Sequence, residues 1–186
     1  MVSSGLVEHF TAGALAAGAE VFQVGDVGGA LAATALLFHK ENIRTAVASR
    51  SLLAAAKEGG LAVGPSEEID DIAAAQAGLV LADYGTAETG TLVHLDSDDA
   101  ERLVWTLPPL CVCLLERRKI VPDLESLAGV ISDHLGRTGV PGPQVSLVTG
   151  PSRTADIECQ LTIGVQGPAR LVILLIGAEV AQDHEG

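Results

Sequence analysis

Residues 171–177 read LVILLIG and residues 110–115 read LCVCLL. Both are short, nearly unbroken aliphatic runs with no polar alternation. Such strands are apolar on both faces, which fits a sheet covered on two sides. Around them, helical and extended patterns alternate. Residues 5–20 read as a helix on Leu6, Val7, Phe10, Leu15 and Ala16, and residues 21–24 as a strand. Asp26 caps a second helix over 27–41, apolar almost all round and so expected to be buried on most sides. A strand over 44–49 and a short helix over 51–57 follow, then a helix opened by Ser66 as N-cap. Extended runs are expected at 78–83, 91–95, 103–107 and 110–115, with an acidic loop at 96–101. Leu124, Leu127, Val130, Ile131 and Leu135 mark an amphipathic helix closed by Gly136, and 145–149 is a further strand.

This alternation predicts an α/β fold with a mostly parallel sheet. The stretch 78–115 holds several strands and no helix long enough for a crossover, so it predicts an antiparallel excursion. With 186 residues, no internal repeat and no long linker, a single domain over 1–186 is expected.

Eleven Lys and Arg stand against 24 Asp and Glu, a net charge of -13. Nucleic-acid binding depends on cations that neutralise phosphates, so neither nucleic acid nor an anionic membrane is an expected partner. A small anion would need a local pocket with its own donors. Before Lys40 there is no Lys or Arg, which argues against a leader peptide, and no apolar run approaches the ~20 residues of a membrane span. A cytoplasmic chain is expected. Of the three cysteines, Cys111 and Cys113 share one strand face, and Cys159 is distant; the set lacks metal-site spacing and reads as buried thiols.

Two polar segments follow strands. In 82–91 (ADYGTAETGT), Gly90 lets backbone N–H groups approach a ligand, and Glu88 is a candidate general base, nucleophile or hydrogen-bond acceptor. The plainer reading is a turn between strands. In 150–158 (GPSRTADIE), Ser152 or Thr154 would cap a short helix, with Asp156 and Glu158 in its first turns. Exposed N–H groups at that helix start and the Arg153 fork would bind an anion. The plainer reading is a capped helix with a surface arginine. His94 lies in the strand after Gly90 and reads as a packed or surface histidine rather than a ligand.

Together, AETGT at 87–91 and GPSRTADIE at 150–158 resemble the signature of the LUD domain family, which includes the C-type lactate utilization proteins. LPP at 107–109, IVPDL at 120–124 and GVQGP at 164–168 match in order and spacing. The resemblance implies a Rossmann-like three-layer α/β fold similar to the NagB/RpiA/CoA-transferase group. It also implies work beside iron–sulfur subunits of a system that oxidises L-lactate to pyruvate, with no cofactor and no metal held by this chain. Relatives often carry His where this chain has Cys111 and Gln166, and they often have a longer N-terminal helical region. The other expectation is a stand-alone enzyme or binding protein for a small organic anion such as a sugar phosphate, acyl-CoA or folate derivative. Glu88 is then the catalytic group, and Thr89, Gly90, Thr91, Ser152, Arg153, Thr154, Asp156, Glu158 and Gln166 form the ligand-binding set. A third is a structural partner whose activity has decayed.

Overall fold

The computed structural model describes residues 4–96, 99–138, 144–154, 162–164 and 167–177. The two aliphatic runs are central strands, β6 (Leu110–Glu116) and β11 (Arg170–Ile176), paired in parallel from Arg170 with Leu110 to Ile176 with Glu116. On one side, β11 pairs with β1 (Glu20–Val24); on the other, β6 pairs with β3 (Ala77–Leu81), which pairs with β2 (Ala46–Ala48). The result is a five-stranded, all-parallel sheet in the order β1-β11-β6-β3-β2.

Alternate residues of β6 and β11 face opposite layers, as strand geometry requires. Val112, Leu114, Val172 and Leu174 meet helices α2 (Val27–Lys40) and α3 (Arg50–Glu58) through Leu31, Phe38, Leu52 and Ala56. Cys111, Cys113, Leu171 and Ile173 face a second cluster. It contains Phe10 of α1 (Ser4–Ala16), Ile72 of α4 (Ile69–Ala74) and Trp105 of α5 (Asp99–Thr106). Helices on one side and a mixed layer on the other make a Rossmann-like three-layer α/β arrangement. Asp26 caps α2 as expected, its Oδ1 accepting from Gly29 N at 2.8 Å. The helix is nonetheless buried on one face only: Leu36 is 68% exposed, and with half-exposed Phe22 it borders an apolar cavity of about 370 Å³.

The excursion is real and larger than expected. A hairpin of β4 (Tyr84–Thr86) and β5 (Thr91–Asp96) forms the middle of a second sheet, ordered β7-β4-β5-β8. Its outer strands are β7 (Ile120–Val121), parallel to β4 and preceded by a 3-10 turn at Arg117–Lys119, and β8 (Gln144–Val148), antiparallel to β5. Helix α6 (Leu124–Thr138) follows β7 and continues past Gly136.

Four local expectations fail, the first being the acidic loop at 96–101, whose residues from Asp99 on open helix α5. Residues 103–107 are not a strand: they lie mostly in α5, whose acidic first turn (Asp99, Glu101) suits a helix start and which buries Val104 and Trp105. Ser66 caps no helix; α4 begins at Ile69, and the Ser66 hydroxyl donates to Glu101 at 3.0 Å. Arg153–Thr154 is not a helix start but strand β9, antiparallel to β10 (Thr162–Ile163).

Candidate functional site

The 87–91 segment is the tight connection between β4 and β5. Ala87 N and Glu88 N donate to Val121 O (2.9 Å) and Pro122 O (3.0 Å), tying the turn to the chain that enters α6. Gly90 N closes the turn on Thr86 O, and Gly90 has φ of 66°. That left-handed conformation favours glycine. Contact requires it as well, since a Cβ there would stand 2.0 Å from Ala14 N. The turn therefore packs backbone to backbone on the last turns of α1.

The exposed Glu88 carboxylate accepts from Leu124 N at 3.0 Å, the first N–H of α6. Asp123 Oδ1 accepts from Ser126 N at 2.8 Å, and hydrogen bonds from the Ser126 hydroxyl first and its backbone N–H second hold the Asp123 carboxyl below its ordinary range. Two carboxylates thus satisfy open donors at the start of α6, where the helix dipole favours negative charge. Beside them runs a chain of hydroxyls. Thr89 Oγ1 to Thr91 Oγ1 is 2.6 Å, and Thr91 Oγ1 to Thr149 Oγ1 is 2.6 Å. Thr91 is buried; Thr149, at the head of the second polar segment, is exposed.

That second segment meets the same end of α1. A Cβ on Gly150 would lie 2.4 Å from Ala17 O. The Arg153 guanidinium rests against Gly18, with Nη2 2.0 Å from where a Cβ would stand, just past the helix end, where a cation is favoured. Ser152 N donates to Pro168 O (2.9 Å), and Ser152 O accepts from Gly164 N (3.0 Å). The fold thus brings Glu88, Thr89, Gly90, Thr91, Ser152 and Arg153 around residues 13–18 and the start of α6. The helix-start anion site expected at Ser152–Thr154 is replaced by β9, whose backbone is paired. Asp156, Glu158, Gln166 and Cys159 lie outside the described residues.

Cys111 and Cys113 are fully buried in the middle of β6. Burial pushes the Cys111 thiol up to about 12, and burial followed by the neighbouring Cys111 raises Cys113 well above the ordinary range. Both are core thiols, and a histidine at position 111 would face the same packed cluster. Among the described residues, no group of three or more His, Cys, Asp or Glu is arranged to hold a metal ion, and no helix is long and apolar enough to cross a membrane.

Two arrangements escaped sequence reading. Glu101 is 6% exposed, and its Oε1 accepts from Arg50 N (2.8 Å) and Ser66 Oγ (3.0 Å), so a residue 51 positions away satisfies the start of α3. Asp83, Tyr84, Lys119 and His134 also converge, on a cavity of about 250 Å³. Their separation in sequence, over three elements, hid the grouping; the local signal was an acid two residues past a buried strand.

The profile of the LUD domain family matches residues 7–176. Lactate utilization protein C of Bacillus subtilis is 32% identical over 111 residues, covering 59% of this chain and 46% of that protein. The Anoxybacillus flavithermus protein of the same name is 34% identical over 110 residues, 59% of this chain and 48% of the relative. The matched region thus spans about half the length of these curated relatives. A crystal structure of a DUF162 family protein from Deinococcus radiodurans superposes with a TM-score of 0.71 at 18% identity, covering 94% of this chain and 98% of that one; it shares the fold. From its motif strings, its layered architecture and the extent of the profile match, the chain belongs to the LUD domain family.

Proposed function

We propose that this chain is the C-type subunit of a system that oxidises L-lactate to pyruvate, working with iron–sulfur proteins that carry the electrons. The carrying observation is the meeting of strings that are far apart in sequence. The turn at 87–90 bonds to Val121 and Pro122, Thr91 bonds to Thr149, and Ser152 bonds to Pro168. Segments carrying the family signature thus form one connected locus against α1. The names of the relatives supply the lactate system, and the net charge of -13 suits a basic patch on a partner. Deleting the gene should abolish growth on L-lactate and spare growth on glucose, and the tagged chain should retain an iron–sulfur subunit on purification. Normal growth on lactate, or failure to retain any such subunit, overturns the proposal.

The Thr89–Thr91–Thr149 hydroxyl chain favours a second reading, a stand-alone protein for a small organic anion. Arg153 would clamp the anion, with Glu88 as base, Thr89, Thr91, Ser152 and Thr154 as orienting donors, and Asp156, Glu158 and Gln166 completing the set. Gly90 seats the turn on α1 rather than meeting the ligand. Saturable binding by the purified chain, lost in Arg153→Ala with the fold intact, would support it. Binding unchanged in Arg153→Ala removes it.

A further inference from the structure

In parallel α/β sheets, ligands bind beyond the carboxyl ends of the strands, where the chain leaves the sheet. Asp83 stands two residues past the end of β3, and Lys119 three residues past the end of the neighbouring β6. Both line the cavity of about 250 Å³, joined by Tyr84 of β4 and His134 of α6. Leu95 and Val130 supply apolar wall, and Asp133 a second acid. At about 30 Å³ per water in the liquid, this space holds roughly eight waters, room for a ligand of about that many heavy atoms.

The polar groups there are held in place. Asp83 Oδ2 accepts from Leu95 N at 2.7 Å and lies 3.3 Å from Nδ1 of buried His94, whose ring packs on Trp105 with centroids 5.3 Å apart. The Asp83 side chain is still 43% exposed, so a carboxylate anchored from behind faces the cavity. Half-buried Lys119 carries its ammonium 4.8 Å above the Tyr84 ring, which orients a flexible cation. None of these residues belongs to the Glu88–Arg153 locus.

We propose that this cavity binds a small carboxylic acid with a hydrogen-bond donor on the neighbouring carbon, a hydroxy acid or an amino acid. Lys119 pairs with the ligand carboxylate. Asp83 accepts from the hydroxyl or ammonium, and His94 acts as a positioning residue behind it. A carboxylate with no donor leaves Asp83 facing it unsatisfied and repelling it. The site does not depend on the lactate system or on its partners, so it stands or falls separately from the growth phenotype.

Titration of the purified full chain, followed by calorimetry and by the His94 ring signals in NMR, tests this with L-lactate, L-alanine, pyruvate and propionate. Saturable binding of L-lactate or L-alanine is expected, at least about tenfold tighter than propionate or pyruvate, with His94 signals that move on saturation. The lactate and alanine arms tell the hydroxyl from the ammonium ligand. Lys119→Gln should remove binding of the preferred acid, and Asp83→Asn should narrow its advantage over propionate, both without loss of thermal midpoint. Should either variant fail to fold, the propionate comparison and the His94 signals in the wild-type chain decide alone. No saturable binding of either acid, propionate binding as tightly, or full binding in folded Lys119→Gln would overturn the proposal.

Discussion

The face of the central sheet under α2 and α3 and the face under α1, α5 and the second sheet bury similar aliphatic side chains by different means. The first is covered by helices that present one apolar side, Leu31 and Phe38 from α2 and Leu52 and Ala56 from α3. The second is a composite in which a helix end, a hairpin turn and a glycine loop touch through backbone, at Gly90 on Ala14 and at Gly150 on Ala17. Side-chain packing tolerates volume-conserving change, whereas backbone contact leaves no space for a single methyl group. Two segments that carry the family signature, 87–91 and the start of 150–158, belong to the second kind of cover.

The sharpest way to break this account is to add one methyl group at a backbone contact and one on an open helix face. Gly90→Ala places a Cβ 2.0 Å from Ala14 N at a φ of 66°, and should cost about 3 kcal/mol or more or prevent folding. Gly129→Ala, in α6 with open space around it, should instead stabilise by about 0.5–1 kcal/mol. Denaturant unfolding of both variants reads the difference; equal midpoints would end the backbone-contact account.

The two acids at helix starts refine it. Glu101→Ala strips a buried acceptor from Arg50 N and Ser66 Oγ and should cost about 1–3 kcal/mol. Glu88→Ala removes an exposed acceptor from Leu124 N, which water replaces, and should cost under about 1 kcal/mol. A larger loss at Glu88 would make it structurally dominant.

The thiols on the composite face sharpen the comparison from inside the core. In a Cys159→Ser background, Cys111 and Cys113 should stay unreactive to a thiol reagent at pH 8 until denaturant is added, because the folded thiols stay protonated. An unfolded thiol ionises near pH 8.5, and the folded Cys111 only near 12. The folded state therefore holds the proton longer, so stability should fall as pH rises above about 8.5. At pH 9 the loss should stay near 1 kcal/mol per thiol, by the conversion of about 1.4 kcal/mol per pKa unit. Rapid labelling of the native protein would contradict the burial.

The central strands were legible because residues 110–115 and 171–177 are aliphatic on both faces, a pattern that needs no partner to interpret. Asp26 was legible because its acceptor reaches only to Gly29. Ser66 was misread because a capping residue and a hydroxyl that donates to an acid 35 positions away look alike in sequence. Residues 103–107 passed for a strand because Val104 and Trp105 suit either state; the buried face of α5 against β3 and β6 decides for helix. At the candidate site, the residue types of 87–91 marked it out. That Glu88 reaches the start of α6, and Arg153 the end of α1, depends on contacts 36 and more than 130 positions apart.

The order of the central sheet also sets a schedule for the ribosome. Among the described strands β1 is made first, and its neighbour in that sheet is β11, 150 positions later. At about 5–20 residues per second, β1 waits roughly 8–30 s before its partner exists. During that interval Val21, Phe22 and Val24 have no strand to pair with, while β2, β3 and β6 assemble in turn next to one another. β11, the last described strand to emerge, slots between β6 and β1, so closure of this sheet is a late and slow event of the kind that non-local pairing imposes. A nascent chain arrested before residue 170 should carry an exposed apolar strand and engage holdase chaperones, and one arrested well past residue 176 should release them.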